Sequence, residues 1–131
     1  MNVLRLNPSS LPDAGKVGYS QISVADGFAF VSGQVSWRAK EGAVPGSLSE
    51  QTAIVVRNLD GALSALKTTP DHIVQMRIYM TDLNDETQEI AMTKILRFLN
   101  GAQPSLTAVG VAALAAPDLQ IEVEMIVRVP G

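Results

Sequence analysis

The carboxy-terminal third of the chain has the clearest alternation of apolar and polar residues. Between Leu119 and Arg128, apolar side chains occupy every second position, and the positions between them are mostly polar. A period of two is typical of a β-strand with one buried face and one polar face. Glu122 and Glu124 lie on the polar face of this predicted strand. A second β-rich run, 103–114, precedes it.

The amino-terminal third predicts three strands and a loop. Asn2–Leu6 is a short strand, which the following prolines end because proline cannot donate a ladder hydrogen bond. Tyr19–Val24 and Phe28–Val35 predict a β-hairpin, since Asp26-Gly27 suits a tight turn with positive φ angles. A loop then runs from Ser36 to Gly46.

Two helices are predicted from capping residues and from apolar residues at helical spacing. Ser47 and Glu50 stand three residues apart, as in a capping box. Asn84, followed by two acidic residues, marks the start of the second helix, and Asn100 with Gly101 suits its left-handed end. The expected buried stripes are Ala53, Val56, Leu59, Leu63 and Leu66 in the first helix and Ile95, Phe98 and Leu99 in the second.

The strand predicted between the helices, Ile73–Thr81, has two different faces. The apolar row suits packing under the helices and consists of Val74, Met76, Ile78 and Met80. The opposite row consists of Gln75, Arg77, Tyr79 and Thr81. With Glu122 and Glu124, this row predicts a sheet face that is neither dry core nor ordinary surface. A subunit interface would account for it, with Arg77 as a candidate partner for one of the glutamates.

The element order is three strands, a helix, a strand, a helix and two strands. It predicts an α+β fold in which a mixed sheet of about six strands carries both helices on one face. A length of 131 residues fits one domain, 1–131. An apolar fraction of 47% with only 18% charged residues is high for a small monomer, so we expect an oligomer.

Composition also bears on location and partners. No apolar run reaches the roughly 18 residues of a membrane span, and the segment Met1–Arg5 lacks a secretory pattern, so we expect a soluble cytoplasmic protein with no membrane partner. The lack of Cys excludes disulfides and thiolate sites. A net charge of -3 with scattered basic residues predicts no nucleic-acid partner. His72 has no second ligand at suitable spacing, and we expect no metal and no cofactor.

Four segments carry recognisable motifs: Gly18–Gln21, Val31–Val35, Val74–Asn84 and 104–124. In order and spacing they resemble the Rid family (reactive intermediate deaminase, also called YjgF-like). That family has a Gly-x-Tyr-x-Gln segment, a [Thr/Val]-Ser-Gly-Gln-[Ile/Val] signature and a strand ending in Asp-Leu-Asn. Its closing segment is Pro-x-Arg-[Ser/Thr]-x-Val followed by Ile-Glu-Ile-Glu. The resemblance extends over nearly the whole chain.

This resemblance implies a chorismate-mutase-like fold and a homotrimer with three small-molecule pockets between neighbouring subunits. The best-characterised members hydrolyse 2-imino and enamino acids to 2-oxo acids and ammonia, and some have been described as ribonucleases. Carried over by position, the resemblance makes Glu122 the catalytic group that orients water. By the same comparison, the pocket lining consists of Tyr19, Ser32, Gly33 and Ala108.

Leu106 stands where the family motif has the Arg that clamps a substrate carboxylate. Leu offers neither charge nor donor, and losing such a bidentate contact costs about 1.5 to 3 kcal/mol. We therefore do not expect the family's best-known activity on 2-imino acids. Arg38, in the loop after the signature strand, is a candidate substitute cation or simply a solvated residue. Trp37 beside it is either a lid on the ligand site or a subunit contact.

The residues leave more than one function open. Glu122 is either catalytic or a solvated or ion-paired strand residue, and Arg77 is interpreted as structural. The leading interpretation is a trimer that binds a small carbonyl or imine metabolite between subunits and hydrolyses it without the usual Arg. The alternative is a non-catalytic regulator or accessory protein of a catabolic pathway. Ribonuclease action ranks third because the chain is acidic and has no basic cluster.

Overall fold

The structure is a computed structural model that describes residues 2–130, so Met1 and Gly131 of the predicted domain lie outside the described residues. Its helices and strands follow the predicted order. The strands are β1 (Leu4–Leu6), β2 (Ile22–Ala25), β3 (Phe28–Gln34), β4 (Ile73–Met80), β5 (Ser105–Gly110) and β6 (Ile121–Arg128), and the helices are α1 (Leu48–Ala65) and α2 (Asp85–Leu99).

The strands form a six-stranded mixed sheet in the order β1-β2-β3-β6-β4-β5. β6 lies between β3 and β4 and runs antiparallel to both, whereas β4 and β5 pair in parallel. Both helices contribute buried residues to the core that covers one face of the sheet. This arrangement confirms the predicted α+β fold, and the opposite face of the sheet stays open.

The core follows the predicted alternation of β6. Its inward row, Ile121, Val123, Met125 and Val127, is buried, as are Met76, Ile78 and Met80 of β4. The Asp26-Gly27 turn has the expected positive φ angles of 51° and 81°. Ser47 accepts a hydrogen bond from the backbone of Glu50, and Asn84 forms a capping box with Thr87. Asn100 ends α2 in the left-handed conformation, as the sequence predicts.

Val74 does not join the buried row, and that prediction is wrong. The pairing of β4 with β6 shifts register between Ile73 and Gln75, so these two residues do not share one face as they would in a regular strand. Ile73 consequently takes the buried position, while Val74 is 44% exposed.

The predicted stripe of α1 is only partly correct. Leu59 and Leu63 are buried, but Ala53 is exposed, and Val56 and Leu66 are half-buried. The buried side of α1 includes two of its own polar residues, Gln51 and Asn58. Their side-chain amides bind backbone carbonyls of neighbouring loops, so this side of the helix differs from the predicted apolar stripe. In α2, Ile95 and Leu99 are buried as expected, whereas Phe98 is half-buried.

Candidate functional site

A β-bulge in β3 sets the geometry of the candidate site. Val31 pairs with Met125 and Gln34 pairs with Val123, so Ser32 and Gly33 together oppose the single residue Glu124. Such a bulge disrupts the ladder and re-aims the side chains beside it. As a result, Gln34 is buried although the strand would otherwise turn it outward.

Glu122 of β6 lies directly over Gly33. An ideal Cβ placed on Gly33 would be 2.6 Å from Cδ of Glu122 and 2.8 Å from its Oε2. Any other residue at this position would therefore collide with the carboxyl group. The lack of a side chain at Gly33 is what allows the carboxyl group to occupy this place.

Around this pair lies a cavity of ≈ 500 Å³. Five of the residues selected from the sequence line it together: Tyr19, Ser32, Gly33, Trp37 and Glu122. The remaining lining residues, which the sequence analysis did not select, are Pro12, Val17, Gln21, Gln34, Val35 and Ala115. Gln21 and Gln34 belong to the motif segments quoted above, and that membership could have predicted that they line the cavity.

Among the described residues that line the cavity, Glu122 is the one that carries a charge. Its pKa is raised above the ordinary value, chiefly because burial disfavours the charged form and secondly because Glu124 carries a like charge nearby. A carboxyl group with a raised pKa exchanges a proton more readily near neutral pH than an exposed one, which suits acid–base chemistry.

Glu124 has a hydrogen-bond partner that was not predicted from the sequence. The hydroxyl of Tyr79 on β4 donates a hydrogen bond to its carboxylate. This bond to Glu124 is the main reason that the pKa of Tyr79 is raised, while Arg77 acts in the opposite direction. Arg77 pairs with Glu124 in strand register, and Tyr79 pairs with Glu122. These four residues therefore cluster on the open face of the sheet.

The back of the cavity is held by two buried glutamine amides. Nε2 of Gln34 donates to Oε1 of Gln21 at 2.7 Å and to the carbonyl of Ser32 at 3.0 Å. Nε2 of Gln21 donates in turn to the carbonyl of Pro12 at 2.9 Å. The hydroxyl of Ser32 donates to the carbonyl of Ser20 at 2.8 Å. The bulge is thus tied to the segment that carries Tyr19.

Helix α1 anchors the loops on either side of the cavity. Nδ2 of Asn58 donates to the carbonyls of Val35, at 3.2 Å, and Trp37, at 2.8 Å. Gln51 Nε2 binds the carbonyls of Pro45 and Asp118, and its Oε1 accepts the backbone N–H of Gln120 at 2.8 Å. These contacts position Trp37 and the chain that leads into Glu122.

Three of the other selected residues lie outside this cavity within one chain. Leu106 and Ala108 of β5 pair with Met76 and Ile78, which places them toward the helix side of the sheet, with β4 between them and β6. Arg38 lines a neighbouring depression of ≈ 470 Å³ that shares Trp37, and its guanidinium donates to the carbonyl of Ala43 at 3.4 Å.

The described residues contain neither a metal-binding cluster nor a helix suited to a membrane. Within residues 2–130, no group of three or more His, Cys, Asp or Glu side chains is arranged to hold a metal ion. His72 is exposed at the end of the Pro70–His72 turn. Neither α1 nor α2, nor any other helix of the described chain, has the length and apolar character to cross a membrane.

Comparison with known proteins gives the family. The chain is 31% identical to the mitochondrial protein mmf2 of Schizosaccharomyces pombe, over 96% of this chain and 98% of that one. It is 35% identical to the RutC family protein YjgH of Escherichia coli, over 77% and 75%. The crystal structure of YyfA from Yersinia pestis, described as a Rid family protein of unknown function, superposes with a TM-score of 0.88 at 28% identity, covering 98% of this chain and 100% of YyfA. Residues 11–129 match the family model described as Endoribonuclease L-PSP, and the chain therefore belongs to the Rid, or YjgF-like, family.

Proposed function

We propose that this protein is a homotrimer that binds a small carbonyl or imine metabolite and hydrolyses it at Glu122. The observation that carries the proposal is the placement of the Glu122 carboxyl group against Gly33, at the wall of a ≈ 500 Å³ cavity, with a pKa raised by burial. A cavity of this size suits a small metabolite.

The proposed reaction adds water to a C=N bond. The Glu122 carboxylate takes a proton from water while the water oxygen bonds to the imine carbon, and the C=N π electrons move to nitrogen. Glu122 returns the proton to that nitrogen, giving a carbinolamine. Glu122 then takes the hydroxyl proton of the carbinolamine and passes it to the nitrogen as the C–N bond breaks. Ammonia leaves and the C=O product remains, so imine plus water yields carbonyl plus ammonia. A raised pKa supports both the acceptance and the return of the proton.

Substrates that carry a carboxylate on the imine carbon do not fit this proposal. Leu106 supplies no cation, and no Lys, Arg or His lines the cavity of the described chain. A carboxylate in the cavity would also face Glu122. The proposed substrates are therefore imines or related carbonyl compounds other than the 2-imino acids.

The open face of the sheet supports the trimer. Phe30 is 47% exposed there, next to a second depression of ≈ 210 Å³ that Arg77, Glu124 and Ile126 also line. Aromatic residues and Arg are enriched at subunit interfaces relative to the rest of a protein surface, so Phe30 and Arg77 fit such an interface. In the trimer, Leu106 and Ala108 would complete the cavity of a neighbouring subunit.

The lack of Cys agrees with a cytoplasmic location.

A coupled assay tests the enzymatic proposal. An amine oxidase generates imines without a carboxylate, and an amino-acid oxidase generates 2-imino acids. Semicarbazide traps the imine that has not been hydrolysed, so a decrease in the trapped product measures hydrolysis by the protein. We expect faster loss with the carboxylate-free imine, little change for 2-iminopropionate, and no acceleration by Glu122→Gln. Rapid hydrolysis of 2-iminopropionate by the wild type would contradict the substrate class, and an active Glu122→Gln would contradict the role of Glu122.

A non-catalytic ligand-binding protein is the second candidate. The observation that favours it is the missing cation, since a cavity without a carboxylate clamp has lost one of the groups that the family's chemistry uses. Saturable binding to the cavity with no acceleration of any imine in the coupled assay would establish this alternative.

A further inference from the structure

The lining of the cavity has one sign of charge. Within residues 2–130 of one chain, Glu122 is the only charged residue of this lining, and the other polar side chains are the hydroxyls of Tyr19 and Ser32, the amides of Gln21 and Gln34 and the indole N–H of Trp37. Arg38, the cation in the adjacent depression, binds the carbonyl of its own loop. The cavity therefore offers a negative group to a ligand and no positive group to balance a ligand anion.

The hydrogen-bonding capacity of the lining has the same bias. Both donor positions of the Gln34 amide are used, one by Gln21 and one by the carbonyl of Ser32. The Ser32 hydroxyl donates to Ser20. These two bonds use the N–H groups of the amide, so its oxygen is the group left to accept a hydrogen bond. A ligand rich in N–H donors satisfies such a lining better than one rich in acceptors.

Two aromatic side chains complete the lining. Tyr19 and Trp37 both line the cavity, and both are partly exposed in the single chain. Aromatic faces attract organic cations, and an aromatic wall beside a carboxylate is the usual construction of a site for an ammonium group. Asn58 holds the backbone of Trp37 in place from below.

We infer that the cavity selects a small organic nitrogen cation, an ammonium or iminium group on a ligand without a carboxylate, with Glu122 as its counter-ion. The inference rests on the same site as the proposed function and gives that site a ligand class. The cation's N–H groups donate to the Glu122 carboxylate and to Oε1 of Gln34, and its carbon skeleton contacts the aromatic wall. A carboxylate of the same size meets repulsion from Glu122 and finds no donor cluster.

Trp37 is the single Trp of the chain and lines the cavity, so its fluorescence reports binding directly. The probes are isopentylammonium, the isosteric anion isovalerate and the neutral 3-methylbutanamide, titrated into the full chain at pH 7.5. Calorimetry gives the same affinities without relying on fluorescence. We expect isopentylammonium to bind at least about tenfold more tightly than isovalerate, as loss of one charge-assisted hydrogen bond implies.

Two variants with the same change in net charge localise the effect. Glu122→Gln should weaken isopentylammonium at least about tenfold and leave the neutral amide within about twofold. Glu124→Gln should keep isopentylammonium within a few-fold, because Glu124 lies in the other depression and binds Tyr79. Equal weakening by both variants would mean attraction to the acidic surface in general and would overturn the inference. Isovalerate binding as tightly as isopentylammonium would overturn it as well.

Acidification gives a further test. The ionisable groups around Glu122 are Glu124 on its own strand and Tyr79 and Arg77 on β4, whereas β3 presents the uncharged Ser32 and Gly33. Protonation of Glu122 removes the counter-ion, so cation affinity should fall on acidification in the wild type and stay flat in Glu122→Gln. A parallel fall in both proteins would assign the titration to another group and contradict the inference.

Binding and catalysis can fail separately. Tight binding of isopentylammonium with no imine hydrolysed would leave the ligand class standing and remove the proposed hydrolysis. Rapid hydrolysis of a carboxylate-free imine by the wild type, with no binding of isopentylammonium, would leave the proposed hydrolysis standing and remove the ligand class.

Discussion

The carboxyl group of Glu122 occupies the space that a side chain on Gly33 would need, with Cδ only 2.6 Å from the position of an added Cβ. The two residues come from strands far apart in the sequence, and the β-bulge at Ser32 and Gly33 brings them together. Gly33 of the signature segment is therefore important because its lack of a side chain leaves room for the carboxyl group of Glu122. Its conformational freedom is secondary here, since Gly33 is not among the residues with positive φ.

Gly33→Ala should consequently displace the acid while the protein still folds. The colliding atoms belong to the end of a flexible side chain, so the free energy of unfolding should change by less than about 1 kcal/mol. Binding of isopentylammonium should weaken at least about tenfold, because the carboxylate leaves its place. Gly46→Ala is the matched control, since an added Cβ there meets no atom within 4 Å. Unchanged binding by Gly33→Ala would contradict the assigned place of Glu122.

The pH dependence of stability should reveal the raised pKa of Glu122. Because the pKa is higher in the folded state than its ordinary value of 4.5, the carboxylate form costs stability once the pH exceeds that folded-state pKa. Glu122→Gln removes this cost and should stabilise the protein near pH 7.5 by less than about 1 kcal/mol, since the half-exposed group is screened by solvent. The difference from the wild type should disappear near pH 4. Urea denaturation at both pH values measures it, and destabilisation near pH 7.5 would mean that Glu122 is ion-paired.

Gln51 should be important for stability although it is polar. Its side chain is buried and binds the carbonyls of Pro45 and Asp118 and the N–H of Gln120. Gln51→Leu leaves these backbone groups without partners, at about 1 to 3 kcal/mol for a buried group, so we expect a total loss of about 2 to 4 kcal/mol in urea denaturation.

The matched control for that experiment is Gln103→Leu, at an exposed position before β5. It makes the same chemical change without removing a buried hydrogen bond, and its effect should stay within about 0.5 kcal/mol. Equal effects of the two substitutions would show that the side chain of Gln51 is not what holds the two loops.

Phe30→Glu should dissociate the proposed trimer. Phe30 is 47% exposed on the open face of the sheet, and a charge placed there would be buried in an interface at a cost of several kcal/mol. Light scattering should give a mass near three chains for the wild type and near one chain for the variant. Leu96→Glu, at a 56% exposed position on α2, is the control and should keep the wild-type mass. A wild-type monomer at micromolar concentration would contradict the trimer.

The sequence predicted what depends on local patterns. The alternation in β6, the caps at Ser47 and Asn84 and the Asp26-Gly27 turn each involve residues close in the chain, and the structure has all of them. The fold class followed from the order of these elements. The error at Val74 came from a register shift between β4 and β6, which depends on how two distant strands pair.

The candidate site was only partly predictable for the same reason. Family resemblance located Tyr19, Ser32, Gly33 and Glu122, which the structure brings to one cavity. It did not reveal that Gln34 turns inward, because the bulge responsible exists only in the pairing of β3 with β6. Nor did it identify Tyr79 as a partner of Glu124, since opposite charge suggested only Arg77 as a partner for one of the two glutamates.

The position of β6 in the sheet has a consequence for how the chain is made. β6 follows every other strand in the sequence, yet it lies between β3 and β4. During synthesis, β1 to β3 and β4 with β5 can form only as two separate pieces, each exposing an unpaired strand edge, until β6 has left the ribosome. Exposed edges of this kind promote association with other chains. The nascent protein is therefore prone to aggregation until β6 emerges, and a chain cut after residue 120 should aggregate rather than fold.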